Sequence, residues 1–413
     1  MKYLRIIIRI ITGLVFIFSG TVKAIDPSGS AYKFGDYFNA FDLGFLQPLA
    51  LPLAILLCTA EFFAGVSLLT GFRQKTGIWL TVLLMGLFTP LTLVLAISNP
   101  VSDCGCFGDA IHLTNWQTFG KNVVLLAFVL ILFSGRKHIK PVSGQATEWV
   151  AMSFITLLFV AFSLANLRYL PLIDFLPYRV GTNIPESMKI PEGKPVDEYK
   201  TTFIYEKDGI KKEFTLDNYP AGDSTWKFVD QKSVLIKKGY VPPVHDFSIT
   251  SPGGEDITGK ILDNSGYTLL MISVKLEKAA KQKLEEGFAL RGALAPAGID
   301  FYVISSSGAD ETGVYKNTTD ICSADETTLK TIVRSNPGYL LIKGGVVEGK
   351  WSWADLPVKQ LAGIGQGGVQ EKNLNNKSTG LIVSTVVLFA TLLLLIIVSL
   401  TAKNTAKPEK TEI

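Results

Sequence analysis

The sequence predicts an α-helical membrane protein that carries an α/β domain outside the bilayer. Hydrophobic residues make up 48% of the chain and charged residues 18%, and the apolar residues form long blocks rather than an amphipathic pattern. By contrast, the stretch from about residue 174 to 378 is charged, rich in Gly and Pro, and too long to be a loop. A single soluble globule is therefore excluded.

Six apolar blocks approach or exceed the roughly 20 residues that a helix needs to cross a bilayer. We expect the first block to be a retained helix rather than a cleaved signal peptide, because Arg5 and Arg9 interrupt its apolar core. The predicted organisation is a four-span membrane region at 1–140 (spans 3–22, 46–70, 77–98 and 116–133), a fifth span at 148–172, a small β-rich subdomain at 173–243, an α/β domain at 244–361, a flexible linker at 362–378, a sixth span at 379–402 and a tail at 403–413.

Basic residues predict the orientation, because short cytoplasmic loops carry an excess of Lys and Arg. Four clusters fall on one side of the predicted spans. We therefore expect a multi-pass protein of the bacterial inner (cytoplasmic) membrane, with both termini cytoplasmic and residues 173–378 extracytoplasmic. The loop that contains Cys104 and Cys106 would then face an oxidising compartment. The clusters are Lys2, Arg5 and Arg9; Arg73 and Lys75; Arg136, Lys137 and Lys140; and Lys403, Lys407 and Lys410.

The extramembrane segment has two parts with different patterns. Around the turn signal Asp208-Gly209, two partly alternating runs predict a β-hairpin, and 226–235 can supply a third strand. The second part predicts the order β-α-β-α-β-β-α, with Pro337 before the third strand. Its predicted elements are strands at 267–274, 299–305, 339–343 and 346–351, and helices at 276–294, 324–335 and 353–361.

The loop sequence Asp103-Cys104-Gly105-Cys106-Phe107-Gly108 places two of the chain's four cysteines one residue apart. A disulfide across Gly105 would be strained, and strained exposed disulfides are labile or catalytic. We favour Cys104 and Cys106 as a redox pair, with inert local thiols as the alternative. A metal site has less support, because zinc needs about four ligands and only His112, Asp103 and Asp109 are near in sequence.

Several other residues are candidate helpers. Glu61 lies in the middle of the second span, where an ionisable group is costly. It is either a proton relay or partner of Arg9 or Lys23, or a structural hydrogen-bonding group. His112 is a candidate base for Cys106, with a solvated loop residue as the alternative. The remaining two cysteines, Cys58 and Cys322, are more typical of buried packing residues, while Tyr37 and Trp116 are typical interfacial aromatics.

The first 135 residues resemble a known family of membrane proteins. Arg9 to Gly13, Ser19-Gly20, the run from Lys23 to Pro27, and Glu61 with Gly65 resemble the DoxX superfamily of four-helix membrane proteins. The DCGCFG element and Asn122 resemble its MauE branch. The resemblance implies a role in disulfide handling or in the maturation of extracytoplasmic proteins. Lys121 stands where an arginine is expected before Asn122.

The stretch SNPGYLLIKGGVVEGKW at 335–351 resembles the final hairpin of thioredoxin-like proteins, in which a proline precedes a buried strand. Asp246-Phe247 resembles the start of the TlpA-like branch. The pattern departs at one point: Lys275 to Lys278 occupies the position of the usual Cys-x-x-Cys. Without a thiolate this domain has no nucleophile for exchange, so we expect it to bind partners or to act as a scaffold.

The sequence therefore predicts a membrane thiol–disulfide relay or maturation factor that uses Cys104 and Cys106. By analogy with quinone-linked disulfide generators, a quinone is the expected electron acceptor. The alternative is a non-catalytic scaffold or assembly protein whose degenerate thioredoxin-like domain binds partners. Expected partners are membrane lipid and extracytoplasmic client proteins. The net charge of +4 is explained by the topology signals, and neither a nucleic-acid patch nor a resident metal is expected.

Overall fold

The computed structural model describes residues 2–364, with gaps at 102, 140, 197, 208, 216, 217, 219–222, 224 and 238, together with Val386. The predicted sixth span at 379–402, the tail at 403–413 and most of the linker lie outside the described residues. The described residues divide into two compact units. One comprises residues up to Gly181 and from Ser248 onward, and the other is Thr182–Phe247.

The N-terminal half is helical. Five of its helices are long and apolar enough to cross a membrane, which confirms a multi-pass helical membrane region. The six long helices described in this half are α1 (Lys2–Ile25), α2 (Pro27–Ala40), α3 (Ala50–Thr70), α4 (Gln74–Ser98), α5 (Asn115–Ser134) and α6 (Gln145–Tyr169). All of them except α2 are candidate membrane spans. Short 3-10 turns precede α3 and follow α5.

Helix α2 was not predicted from the sequence. Its composition, PSGSAYKFGDYFNA, is polar and contains two glycines, so its helix propensity is low. It forms because Pro27 is preorganised for the first helical position and the Asp26 carboxylate accepts a hydrogen bond from the Gly29 N–H. The helix then packs against α3. Helix α2 thus lies directly after the first span, where the sequence predicted only a connecting segment.

Close backbone contact joins α1 to α3. A Cβ atom added at Gly65 would lie 2.7 Å from the Gly13 carbonyl oxygen and 2.7 Å from the Ile17 nitrogen. Only glycine allows this approach, as is typical of small residues at interfaces between membrane helices. Helices α4 and α5 also pack together, and the Asn122 amide donates a hydrogen bond to Thr92 Oγ1 at 3.2 Å between them.

The unit at Thr182–Phe247 is a small sheet. A short helix α7 (Ile184–Ser187) precedes β1 (Glu198–Lys207), β2 (Ile210–Thr215) and β3 (Lys227–Lys237). The strands are antiparallel in the order β2-β1-β3. The predicted hairpin is present, and Gly209 in its turn has φ +79°, which a glycine adopts readily. Four aromatic rings contact one another edge to face on this sheet, namely Tyr205, Phe214, Trp226 and Phe228.

The C-terminal part of the larger unit is a five-stranded mixed sheet with helices. Its strand order is β6-β5-β4-β7-β8; β4, β5 and β6 are parallel, and β7 and β8 are antiparallel to their neighbours. The Asn336–Pro337 peptide bond before β7 is cis. In chain order the elements are α8 (Thr258–Leu262), β4 (Tyr267–Ser273), α9 (Lys281–Phe288), α10 (Leu290–Leu294), β5 (Asp300–Ser305), α11 (Ala309–Gly313), β6 (Ile321–Ser323), α12 (Glu326–Ile332), β7 (Gly338–Lys343), β8 (Val346–Ser352) and α13 (Val358–Ala362).

The structure corrects three details of the predicted order. The single helix expected at 276–294 is a 3-10 turn followed by α9 and α10, in a segment where Gly287 and Gly292 lower helix propensity. Strand β6 was missing from the predicted order of elements, although the stretch around Cys322 was expected to lie on or near a strand before the next helix. The helix expected at 353–361 is reduced to α13, since Pro357 favours a helix start at the next residue.

One arginine joins the α/β part to the membrane helices within the larger unit. Arg334, just before the cis proline, has a side chain that is 6% exposed. Its Nε lies 2.8 Å from Asp26 Oδ2 and its Nη2 lies 2.5 Å from Asp109 Oδ2. A second ion pair joins Lys350 to Asp174 at 2.7 Å. The α/β part and the cysteine loop therefore lie on the same side of the membrane helices.

We expect Arg334→Gln to detach this junction. Removing one partner of a buried ion pair costs about 3 to 5 kcal/mol, and here two carboxylates lose their cation. Hydrogen exchange followed by mass spectrometry should show lost protection in residues 26–40 and 103–112. Arg291→Gln is the matched control, because that side chain is half exposed and lies 3.9 Å from Asp320. Equal protection in both variants would contradict the assignment.

Candidate redox site

The cysteine loop between α4 and α5 is held in a tight turn. The Gly105 N–H donates to Asp103 Oδ1 at 2.9 Å, and Gly105 has φ +61°. A Cβ atom added at Gly105 would lie 2.9 Å from Cγ of Lys33. The position thus requires glycine for its backbone conformation and for the space it occupies. This turn places the side chains of Cys104 and Cys106 on the same side of the loop.

The two sulfur atoms lie 3.1 Å apart as free thiols. Cys104 is buried, whereas Cys106 is partly exposed. At this separation a small rotation about the side-chain bonds would bring the sulfurs to the roughly 2.05 Å of a disulfide. The two thiols are therefore close enough for a disulfide to form between them.

A buried lysine fixes the inner side of the loop. Lys23 Nζ donates to Glu61 Oε2 at 2.8 Å, to Ser19 Oγ at 2.7 Å and to the Cys106 carbonyl oxygen at 2.6 Å. The Ser19 hydroxyl also donates to that carbonyl at 2.9 Å. Of the two partners considered for Glu61, Lys23 is the one in contact. The carboxylate therefore offsets the charge of the ammonium that holds Cys106.

The outer side of the loop is fixed by α2. Lys33 Nζ lies 3.0 Å from Asp103 Oδ1, and the Tyr37 hydroxyl donates a hydrogen bond to the Cys104 carbonyl. Tyr37 was expected to be an interfacial aromatic, and the structure shows instead that it contacts the cysteine loop. Trp116 is 60% exposed, as an interfacial residue would be.

The two thiols differ in acidity. The hydrogen bond from Cys104 lowers the pKa of the Cys106 thiol to about 6, with the nearby ammonium groups of Lys121 and Lys23 acting in the same direction against the effect of burial. The same hydrogen bond, together with burial, raises the pKa of Cys104. The shared hydrogen bond therefore favours the thiolate on Cys106 and the thiol on Cys104.

The other candidate residues, His112, Cys58 and Cys322, make no contact that the structure records with the two thiols. The side chain of His112 is 66% exposed and its Nδ1 lies 3.7 Å from Asp103 Oδ2, so the cations that act on Cys106 are lysines. Cys58 is buried within α3, where its thiol contacts the Ile55 carbonyl. Cys322 is buried in β6. Among the described residues, no three His, Cys, Asp or Glu side chains group together as metal ligands.

A pocket lies under the two thiols, between the membrane helices. Most of its wall is apolar, and its polar lining comes from the cysteine loop and from Ser19, Lys23, Ser30, Lys33, Tyr37, Glu61, Lys121 and Asn122. Lys121 Nζ lies 4.5 Å from the centre of the Phe107 ring, at the loop end of the pocket. The apolar part is lined by Val15, Phe16, Phe34, Leu57, Leu84, Met85, Phe88, Leu91 and Leu125.

No cysteine directly follows β4 in the α/β part. After β4 the chain continues with Lys275, which pairs with Glu326 at 3.2 Å and donates to the Ser306 carbonyl at 3.0 Å. This end of the sheet and α2 line a cleft that also includes Tyr32, Asp36 and Asn336. The two adjacent thiols therefore belong to the membrane region.

Ser19, Lys33 and Arg334 belong to this site and were not predicted as parts of it. Ser19 lies four residues before Lys23 on α1, a spacing that places both on one helix face, so this signal was present. Lys33 and Arg334 gave no such signal, because their partners lie 70 and 225 residues away in sequence.

Comparison with known proteins supports the assignment of residues 1–135 as a membrane domain. Residues 1–135 match the family described as methylamine utilisation protein MauE, which confirms the predicted MauE-like membrane domain. The protein TlpB of Flavobacterium psychrophilum is 30% identical over 135 residues, covering 32% of this chain and 37% of TlpB. This chain thus spans little more than a third of that relative. Residues 199–238 match a domain of unknown function, DUF8463. No solved structure shows significant similarity.

We expect the two thiols to alkylate over different pH ranges. Because the thiolate is the nucleophile, iodoacetamide should modify Cys106 with a midpoint near pH 6, set by its lowered pKa, while Cys104 should stay unmodified at neutral pH. Lys121→Met should move the Cys106 midpoint to higher pH, since a cation is lost. Lys281→Met, at an exposed side chain, serves as control. A wild-type midpoint near that of a free cysteine would refute this assignment.

Lys23 and Glu61 should be strongly coupled in stability. Glu61→Gln or Lys23→Met alone leaves an uncompensated buried charge and should cost about 3 to 5 kcal/mol. The double variant should cost less than the sum of the two single effects. Thermal unfolding of purified protein in detergent measures this cycle, with Glu186→Gln, an exposed carboxylate, as control. Strictly additive effects would show that the pair is not coupled.

Proposed function

We propose that this protein is a membrane thiol–disulfide exchange protein in which Cys104 and Cys106 oxidise client dithiols. One observation carries the proposal. Two sulfurs 3.1 Å apart lie in a turn that is braced on both sides, and one of them is favoured as a thiolate. Inert buried thiols need neither the proximity nor the lysines around Cys106. The MauE-like membrane domain provides the scaffold for this pair.

The proposed exchange conserves atoms and electrons between the cysteine pair and the client dithiol. A client thiolate attacks the sulfur of Cys106, the more exposed member, and the Cys104–Cys106 bond breaks. Cys104 takes up one proton, in keeping with its raised pKa. The second client thiol loses its proton and attacks the client sulfur of the mixed disulfide, and Cys106 leaves as a thiolate. A low pKa makes Cys106 the better leaving group. The client gains a disulfide, and the pair is reduced to one thiol and one thiolate.

The α/β part would serve as the client-binding element. Its mixed sheet and the cis proline before β7 support a thioredoxin-like fold, and Lys275 occupies the position where such domains carry their first cysteine. Arg334 holds this part against Asp109 of the cysteine loop. A client bound near the cis-proline loop would therefore lie close to Cys106.

The proposed location is the bacterial inner membrane, with the thiols and residues 173–378 outside the cytoplasm. The basic clusters at the helix ends support this orientation. The ion pairs of Arg334 give independent support for one part of this orientation. They require the cysteine loop and the α/β part to lie on the same side of the membrane helices.

A non-catalytic scaffold is the second candidate. It is favoured by one observation, the replacement of the usual catalytic cysteines by Lys275 to Lys278 in the α/β part. In that case the tethered domain would recruit partners, and Cys104 and Cys106 would have no turnover. The two candidates make opposite predictions for the cysteine variants.

The decisive experiment uses full-length protein in nanodiscs, oxidised with diamide and then mixed with a reduced peptide that contains two cysteines. Wild-type protein should convert the peptide to its disulfide, as read by mass spectrometry. Cys104→Ser and Cys106→Ser should both lose this conversion. Cys58→Ser and Cys322→Ser, at buried thiols outside the site, should retain it. Unchanged peptide oxidation in the Cys104 and Cys106 variants would exclude the exchange function and favour the scaffold.

A further inference from the structure

We propose that the pocket beneath Cys106 binds the ring of a membrane quinone, which accepts the two electrons of the Cys104–Cys106 pair. The inference rests on the proposed exchange function and names its electron acceptor and the site that binds it. The location of the pocket, the chemistry of its two ends and the electron balance of the pair support this assignment.

The location of the pocket selects a lipid-soluble ligand. Its walls come from α1, α3, α4 and α5, four of the helices that are long and apolar enough to cross a membrane, and α2 and the cysteine loop close one end. The apolar side chains, including Phe16, Leu84 and Leu125, suit a flat ring with a hydrocarbon tail. A water-soluble acceptor would gain little from such a wall.

The loop end of the pocket supplies the complementary polar chemistry. Lys121 Nζ lies there above the Phe107 ring, and the pocket also reaches Cys104 and Cys106. An ammonium group can donate hydrogen bonds to a quinone carbonyl oxygen and stabilise the negative charge that develops on it. Lys23 is already engaged by Glu61, Ser19 and the Cys106 carbonyl, and Lys33, which also lines the pocket, is paired with Asp103. Lys121 is therefore the cation that we assign to the quinone.

The electrons and protons balance with these groups. The Cys106 thiolate and the Cys104 thiol form one S–S bond and release two electrons and the Cys104 proton. The quinone takes up both electrons and two protons, one from Cys104 and one from the ammonium of Lys121, and becomes a quinol. Lys121 then regains a proton from water. The disulfide so formed is the oxidant that the exchange with client dithiols requires.

The test uses the full chain, reduced and placed in phosphatidylcholine nanodiscs without oxygen, with decylubiquinone as the probe. The wild type should form quinol and the Cys104–Cys106 disulfide in equal amounts. Leu84→Trp fills the pocket and should slow quinol formation by about tenfold or more. Leu83→Trp is the matched control, because Leu83 is the neighbouring residue on α4 and is 67% exposed; its rate should equal that of the wild type.

Two further measurements separate the possible failures. Peptide oxidation by diamide-treated Leu84→Trp should remain normal, which shows that the variant is folded. Lys121→Met keeps the wall of the pocket and should also slow quinol formation. The quinone inference is overturned, and the exchange function stands, if the wild type oxidises the peptide but makes no quinol. The same holds if a lipid acyl chain occupies the pocket and decylubiquinone is not reduced. Equal quinol formation by Leu84→Trp and Leu83→Trp would exclude this pocket. Loss of peptide oxidation in the wild type would overturn the exchange function itself.

Discussion

The site depends on a single buried ammonium group. Lys23 Nζ contacts the Glu61 carboxylate, the Ser19 hydroxyl and the Cys106 carbonyl within 2.6 to 3.0 Å. A charged lysine this deep among membrane helices is stable only with a counter-charge, and Glu61 supplies it from the neighbouring helix. The glycine contact between α1 and α3 brings the two helices close enough for this pair to form. The packing of α1 against α3, the charge compensation of Lys23 by Glu61 and the position of the cysteine loop therefore depend on one another.

The two sides of the cysteine loop are held by different kinds of contact. The inner side rests on α1 through Lys23 and Ser19, within the membrane region. The outer side is held by α2, through Lys33 and Tyr37, and by Arg334 from the α/β part. This bracing keeps the sulfurs adjacent while leaving Cys106 partly exposed. It also explains how two thiols in one turn differ in acidity: Cys106 faces ammonium groups, whereas Cys104 donates its hydrogen to its neighbour.

Much of the architecture could be predicted from the sequence because long apolar blocks are a strong signal. The first five spans, the β-hairpin at Gly209 and the buried strands of the α/β part all follow from composition and period. Helix α2 could not be predicted, because it is polar and its helix propensity is low. Strand β6 has only three residues, which is too few to predict its bounds. The cysteine pair was evident from its spacing, and Glu61 from its depth in a span. The contacts of Arg334 and Tyr37 depend on tertiary packing between distant segments, which no local pattern encodes.

The sequence separation between Asp109 and Arg334 has a consequence for biogenesis. The membrane helices and the cysteine loop are synthesised first, and the arginine that joins Asp26 to Asp109 follows 225 residues after Asp109. Until the C-terminal sheet has folded, Asp26 and Asp109 lack their ion pairs with Arg334. During that time Asp26 acts only as the cap of α2. The nascent bundle therefore carries an incompletely braced thiol turn. The bracing of the cysteine loop is therefore complete only after the α/β part has folded.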